Sequence, residues 1–187
     1  MLVLASKSPR RKALLAEAGM DFIVDPAAGE EEPWNGAIPP EEYVRRLAAR
    51  KALEVAPRHP GARIVGADTI VVLDGRILGK PRDMANARGM LSMLSGREHM
   101  VFTGVALARD AALLRSWTTA TAVRFKTLSG DEIREYLSLV NPLDKAGAYG
   151  IQDHGDLIVE GIRGSYSNVV GLPVEELLEA LAAVQGQ

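Results

Sequence analysis

The sequence of 187 residues contains no cysteine. This absence excludes disulfide bonds, thiolate nucleophiles and every metal site that depends on cysteine. It is compatible with a reducing compartment, and we therefore expect a cytoplasmic protein. Histidine gives no metal signal either, because His59, His99 and His154 lie far apart and lack the short spacing of zinc ligands.

Several common catalytic motifs are also missing. The chain has no Gly-x-x-x-x-Gly-Lys-Ser/Thr P-loop, no Gly-x-Gly-x-x-Gly fingerprint and no Gly-x-Ser-x-Gly nucleophile turn. These absences argue against ATP-driven motors, dinucleotide-binding enzymes and serine hydrolases.

Neither sign of charge is in large excess, and no apolar run is long. With 22 basic and 24 acidic side chains the formal charge is -2, so we expect no nucleic acid polymer as partner. The longest apolar stretch, 64–73, is interrupted by Asp68 and is shorter than the roughly 20 residues of a membrane helix. The first charges follow the initial apolar run, which is the reverse of a signal peptide. We therefore expect no membrane partner.

What the sequence contains is typical of a globular α/β protein, with 47% hydrophobic and 25% charged residues. Apolar periodicity and turn residues predict strands at 2–4, 22–24, 63–73, 76–78, 100–108, 113–125 and 157–160. They predict helices at 9–18, 41–55, 84–94, 131–139 and 174–184, with Asp131 as the cap of the fourth. Because helices and strands interleave without a linker, we expect one domain over 1–187.

The first strand-to-helix loop has the composition of a phosphate site. Two hydroxyls and three cations fall in it: Ser6, Ser8, Lys7, Arg10 and Arg11. Cations at a helix N-terminus are unfavourable by about 0.3 to 1 kcal/mol each, which suggests an anionic ligand. Removal of Arg10 or Arg11 is therefore expected to leave stability equal or slightly higher. The alternative is that these are solvated cations near an acid such as Glu17.

Asp68 is the most unusual residue, because it lies inside a strand apolar enough to be covered on both faces. A buried carboxylate there requires a metal, a cluster of cations or a proton. Gly66 and Ala67 are expected to leave room for a ligand near the backbone. The alternative is a structural aspartate that caps a loop or pairs with an arginine.

Three other charged positions are less distinctive. Lys80 follows the predicted hairpin and is expected near the end of the Asp68 strand. Lys51, in the second helix, and Glu31, in an acidic loop, are best explained by sequence physics alone as solvated charges. The segment 144–152 combines a charge pair with glycines, which indicates close approach by a ligand or by a packed helix.

Together these segments resemble the Maf family of nucleoside triphosphate pyrophosphatases. The resemblance is carried by Leu-Ala-Ser-Lys-Ser-Pro-Arg-Arg at 4–11, Gly-Ala-Asp-Thr at 66–69, Gly-Lys-Pro-Arg-Asp at 79–83, Asp-Lys-Ala-Gly-Ala-Tyr-Gly-Ile-Gln at 144–152 and Val-Val-Gly-Leu-Pro at 169–173. Their order and spacing agree over nearly the whole chain.

The resemblance implies an elongated α/β fold, with a mixed sheet flanked by helices, two lobes with a cleft between them, and a homodimer. It implies a house-cleaning hydrolase that releases pyrophosphate from nucleoside triphosphates with a divalent metal, Mg²⁺ or Mn²⁺. Asp68 then becomes the proton acceptor or a metal ligand, and Glu31 a second metal ligand. Arg10, Arg11, Lys51 and Lys80, with Ser6 and Ser8, become triphosphate contacts.

The motif at 144–152 resembles the branch that acts on dTTP and UTP, with modified pyrimidine nucleotides as further candidates. This resemblance implies that Arg10, Thr69 and Gln152 select the base, although Asp153 stands where many relatives have glycine. Two alternatives remain open: an interaction protein of septum formation, with or without catalysis, and an inosine or xanthosine triphosphate pyrophosphatase.

Overall fold

A computed structural model describes residues 1–29 and 33–184. The described chain forms a seven-stranded mixed sheet with helices: β1 Leu2–Leu4, α1 Pro9–Glu17, β2 Ile23–Val24, α2 Pro40–Val55, β3 Arg63–Leu73, β4 Arg76–Leu78, α3 Met84–Leu94, β5 Glu98–Arg109, β6 Ala112–Phe125, α4 Gly130–Leu139, α5 Gly155–Ile158, β7 Val159–Arg163, α6 Tyr166–Val170 and α7 Val174–Ala183. Short 3₁₀ turns cover Ala56–Arg58 and Ala146–Ala148. The α/β prediction is confirmed.

The sheet has the strand order β2-β1-β3-β5-β6-β7, and β4 pairs with β3. Strand β1 is parallel to both neighbours, while β4 and β7 are antiparallel to theirs. The β3–β4 turn has positive φ at Asp74 (49°) and Gly75 (73°), as the Asp-Gly hairpin signal predicts.

Several boundaries differ from the sequence prediction by one or two residues, and two of these differences have a clear cause. Helix α4 is capped by Ser129, not Asp131, because Ser129 and Glu132 form a reciprocal capping box. The strand predicted at 157–160 begins at Val159, because the chain first makes the helical turn α5. Helix α6 was not predicted, since it has five residues and gives almost no periodic signal.

Contacts divide the described chain into two compact units. The first unit comprises 1–69, 103–119 and 171–184 without the gap at 30–32, and the second comprises 70–102 and 120–170. The first has a core of small residues, with seven buried alanines beside Val3, Val55 and Ile64. The second has larger side chains, including Phe125, Tyr136 and Tyr149.

Helix α2 lies directly against strands β3 and β5 in the first unit. A Cβ atom on Gly66 would lie 2.2 Å from the Ala48 carbonyl oxygen, and one on Gly104 would lie 2.4 Å from that of Val44. The expectation that Gly66 leaves room for a ligand is therefore wrong, because the backbone of α2 fills that space.

No helix in the described part of the chain is long and apolar enough to cross a membrane.

Candidate active site

The loop after β1 is organised by its two serines. Ser8 caps α1 by accepting a hydrogen bond from the Arg11 backbone N–H at 3.4 Å, and Pro9 occupies the first helical turn. Ser6 accepts from the Ser8 backbone N–H at 3.2 Å. These hydroxyls therefore shape the predicted phosphate loop.

Arg11 is buried, and its guanidinium binds three oxygens of the first unit. Nε donates to the Gly171 carbonyl at 2.7 Å, Nη1 to Ser6 Oγ at 3.0 Å and Nη2 to Thr69 Oγ1 at 3.0 Å. The interpretation of Arg11 as an exposed cation at a helix end is wrong. These three oxygens stabilise its positive charge. The hydrogen bonds connect the loop after β1 with β3 and with the segment before α7.

Replacement of Arg11 by alanine is accordingly expected to lower the melting temperature, because the three hydrogen bonds of its guanidinium are lost, at about 1 kcal/mol for each. Arg10→Ala is the matched control: it removes the same side chain from the adjacent, less buried position and should change stability much less. Thermal unfolding followed by circular dichroism measures both. Equal melting temperatures for the two variants would contradict this role of Arg11.

Thr69 extends the Arg11 network to a residue that sequence reasoning missed. Its Oγ1 lies 2.9 Å from Thr103 Oγ1 and donates to the Gly171 carbonyl at 3.4 Å. Thr103 is fully buried in β5. Thr103 could have been identified as a hydroxyl inside the largely apolar strand β5, just as Asp68 was identified as a charge inside an apolar strand.

Lys51 and Asp68 form an ion pair within the first unit. Lys51 Nζ donates to Asp68 Oδ1, and the two side chains are 16% and 14% exposed. Lys51 follows Ala48 by one helical turn, and Asp68 follows Gly66 on β3, so the close approach at Gly66 brings the pair together. The interpretation of Lys51 as a solvated charge is therefore wrong. The cation that Asp68 requires is a lysine, not an arginine.

Within the described ranges, no group of three or more His, Asp or Glu side chains could hold a metal ion. Glu31, the predicted second metal ligand, lies outside the described residues. Asp68 nevertheless fits Mg²⁺ chemistry, because Mg²⁺ at phosphate sites commonly binds one or two carboxylates and takes its other ligands from phosphates and water.

In the second unit, Lys80 is exposed and follows β4, which pairs with the end of β3. The residue before it, Gly79, accepts a hydrogen bond from the Gly147 N–H at 3.1 Å. The position of Lys80 is therefore coupled to the predicted motif at 144–152.

We call residues 145–153 the lysine segment. Its first residue, Lys145, is buried, and its ammonium lies 2.7 Å from the Asn141 carbonyl oxygen, 2.8 Å from Asp144 Oδ1 and 3.2 Å from Asp153 Oδ2. The close approach expected here is made by protein atoms, since a Cβ on Gly147 would lie 3.1 Å from the methyl groups of Val71.

Gln152 is exposed and lines a cavity of about 480 Å³ in the second unit. The same cavity is lined by Lys145, Asp153, His154 and Asp156, so it presents both charges and an amide. Such a surface can form hydrogen bonds with a polar ring edge.

Two buried tyrosines hold the middle of the lysine segment. Tyr149 Oη lies 2.7 Å from His99 Nε2, and Tyr136 Oη accepts from the Gly150 N–H at 3.2 Å. Burial raises the pKa of Tyr136 to about 12 and raises the pKa of Tyr149 further, so both phenols stay protonated at neutral pH. Burial also lowers the pKa of His99 to about 4.

The low pKa of His99 predicts acid sensitivity. Between about pH 4 and 6.5 the unfolded chain binds a proton that folded His99 excludes, so stability is complete above pH 6.5 and falls toward pH 4. The full loss is about 3 kcal/mol. Urea unfolding across this range should show a shallower pH dependence for His99→Gln than for the exposed-site control His154→Gln. Identical pH dependence in both variants would contradict a lowered pKa of His99 in the folded protein.

Comparison with known proteins agrees with the sequence motifs. The model of the family described as Maf-like protein matches residues 1–184. A dTTP/UTP pyrophosphatase of Symbiobacterium thermophilum is 49% identical over 96% of this chain and 92% of its own length. One of Myxococcus xanthus is 50% identical over 97% and 91%.

A solved structure of the Staphylococcus aureus Ham1 protein has a TM-score of 0.50 with this chain, covers 97% of each chain and is 15% identical. That likeness concerns the fold alone. The family is established by the sequence matches, which extend over nearly the whole length, and the chain belongs to the Maf family of proteins.

Proposed function

We propose that this protein is a nucleoside triphosphate pyrophosphatase that converts dTTP and UTP to the monophosphate and pyrophosphate. The observation that carries the proposal is the Lys51–Asp68 pair, a carboxylate with its cation at the position of the family motif. It is supported by two relatives about half identical to this chain that are named dTTP/UTP pyrophosphatases.

The reaction adds water across the bond between the α and β phosphates. The water oxygen attacks the α phosphorus, the bond from that phosphorus to the bridging oxygen breaks, and pyrophosphate leaves with the electron pair. Asp68 accepts the proton that the water loses, a role that contributes about 10² to 10⁴ in rate. Lys51 orients this carboxylate and keeps a positive charge near the phosphates.

We assign the triphosphate to the loop after β1 and to the cations of the resemblance. Arg10, Lys51 and Lys80 neutralise phosphate charge, which is the main requirement of phosphoryl chemistry. Ser6, Ser8 and Arg11 are assigned to the same site, where their mutual hydrogen bonds keep the loop in shape.

A divalent cation, Mg²⁺ or Mn²⁺, completes the proposal, with Asp68 and Glu31 as its protein ligands. When bound, it supplies positive charge to the phosphate oxygens. We also propose a homodimer, as the family resemblance implies, and a cytoplasmic location, with which the absence of cysteine is compatible.

Base selection is assigned to Gln152, with Arg10 and Thr69. A glutamine amide can donate to O4 and accept from N3–H of uracil or thymine. Cytosine reverses this pattern with its N4 donor and N3 acceptor, so CTP is expected to be a poor substrate.

A panel of triphosphates tests the proposal. The purified protein is incubated with dTTP, UTP, CTP, ITP and XTP, with Mg²⁺, with Mn²⁺ or with a chelator, and pyrophosphate is measured. We expect metal-dependent release from dTTP and UTP. Preference for ITP or XTP would favour the purine alternative, and no release with any substrate would favour a non-catalytic interaction protein.

A further inference from the structure

We infer that Lys145 is a positioning residue: through its ion pair with Asp153 it fixes Gln152 and thereby maintains the preference for uracil and thymine over cytosine. The inference rests on the proposed function, which assigns Gln152 to the base. It concerns a lysine that the resemblance did not assign to any role.

The ammonium of Lys145 joins the two ends of the lysine segment. Its side chain is 7% exposed, and a charge so deeply buried is tolerated when several oxygens surround it. Asn141 and Asp144 supply oxygens from before the segment, while Asp153 supplies one from its end. Lys145 therefore closes the segment into a loop.

The backbone of the lysine segment depends on such contacts. Gly147 and Ala148 have φ values of 70° and 66°, which neither a helix nor a strand would maintain. Gly150 is packed against the ion pair, since a Cβ there would lie 2.8 Å from Asp153 Oδ2 and 2.9 Å from Lys145 Cε. The ion pair therefore lies close to the backbone two residues before Gln152.

Gln152 needs this support because an amide is nearly symmetrical in shape. If the residue could turn, its oxygen and nitrogen would exchange places and fit cytosine as well as uracil. Gln152 directly precedes Asp153 in the chain, and Asp153 is held by its ion pair with Lys145. All three residues line the same cavity. Loss of the charge of either Lys145 or Asp153 is therefore expected to make the backbone at Gln152 more mobile.

The test is a double-mutant cycle with Lys145→Met and Asp153→Asn, each measured for kcat/KM with dTTP and with CTP. We expect each substitution to lower the dTTP:CTP ratio about fivefold or more, within the range of coupled neighbours. The double variant should lower the ratio no further, because both substitutions break the same ion pair. Gln152→Ala should give a similar ratio.

Asp144→Asn is the matched control. It removes a carboxylate charge that lies 2.8 Å from the Lys145 ammonium, as Asp153→Asn also removes one beside that ammonium. Asp144, however, precedes the lysine segment and is not adjacent to Gln152. Its dTTP:CTP ratio should equal that of the unmodified protein. If Lys145→Met raises KM for every triphosphate while Asp153→Asn changes nothing, Lys145 contacts substrate directly and the inference is wrong.

A second readout does not depend on activity. The ¹⁵N heteronuclear NOE of the Gln152 backbone amide should decrease in Lys145→Met and in Asp153→Asn and stay unchanged in Asp144→Asn. An unmodified protein that hydrolyses neither dTTP nor UTP would refute the proposed function, and the NOE would still decide whether Lys145 fixes Gln152. An unchanged NOE in both variants overturns the inference.

Discussion

Asp68→Asn is expected to lower kcat with dTTP more than a hundredfold while the protein remains folded. The amide keeps the shape of the carboxylate, but it cannot accept the proton of the attacking water and attracts a metal much less. The measurement is pyrophosphate release at saturating dTTP and Mg²⁺, with circular dichroism at the same temperature to establish the folded fraction.

The control for this variant is Asp74→Asn, which makes the same change in the β3–β4 turn. Asp74 is exposed and lies 2.5 Å from Arg97, so its loss should leave kcat near that of the unmodified protein. Near-full activity of folded Asp68→Asn would show that the strand carboxylate is not the proton acceptor.

Gly66→Ala is expected to destabilise the fold by about 3 kcal/mol or more, because the new methyl group would meet the backbone of α2. Its Cβ would lie 2.2 Å from the Ala48 carbonyl oxygen and 2.7 Å from the Ala52 nitrogen, atoms that cannot turn aside as a side chain can. The free energy of unfolding in urea measures the effect. Activity should also fall, since α2 carries Lys51.

Gly89→Ala makes the same substitution in α3, where a Cβ would meet no described atom within 4 Å apart from its chain neighbours and the nearby backbone of its own helix. It should raise the free energy of unfolding by about 0.5 to 1 kcal/mol, because alanine has a higher helix propensity than glycine. Equal stability changes at both glycines would mean that α2 is not packed on β3 as described.

Local signals were enough to predict most of the fold. Strand β3 and helix α3 have the bounds predicted from turns, caps and apolar spacing. The Asp-Gly turn predicted the β3–β4 hairpin, because the conformation of a turn depends on its own residues. Helices α5 and α6 were missed, since elements of four or five residues are decided by their surroundings.

The site was less predictable because its contacts join distant parts of the sequence. Asp68 was identified from a charge inside an apolar strand, but its partner Lys51 is 17 residues away and meets it through helix packing. Arg11 was misread because its acceptor at Gly171 lies 160 residues further along the chain. Periodicity and capping carry no information about such pairs.

The central claim is cleavage between the α and β phosphates of pyrimidine triphosphates, and product analysis with dTTP labelled at the α phosphate tests it most directly. The protein is incubated with labelled dTTP and Mg²⁺, and the products are separated by anion exchange. The account predicts that the label appears in dTMP, with one equivalent of pyrophosphate and no dTDP intermediate. Label in dTDP with release of inorganic phosphate, or unchanged dTTP, would contradict it.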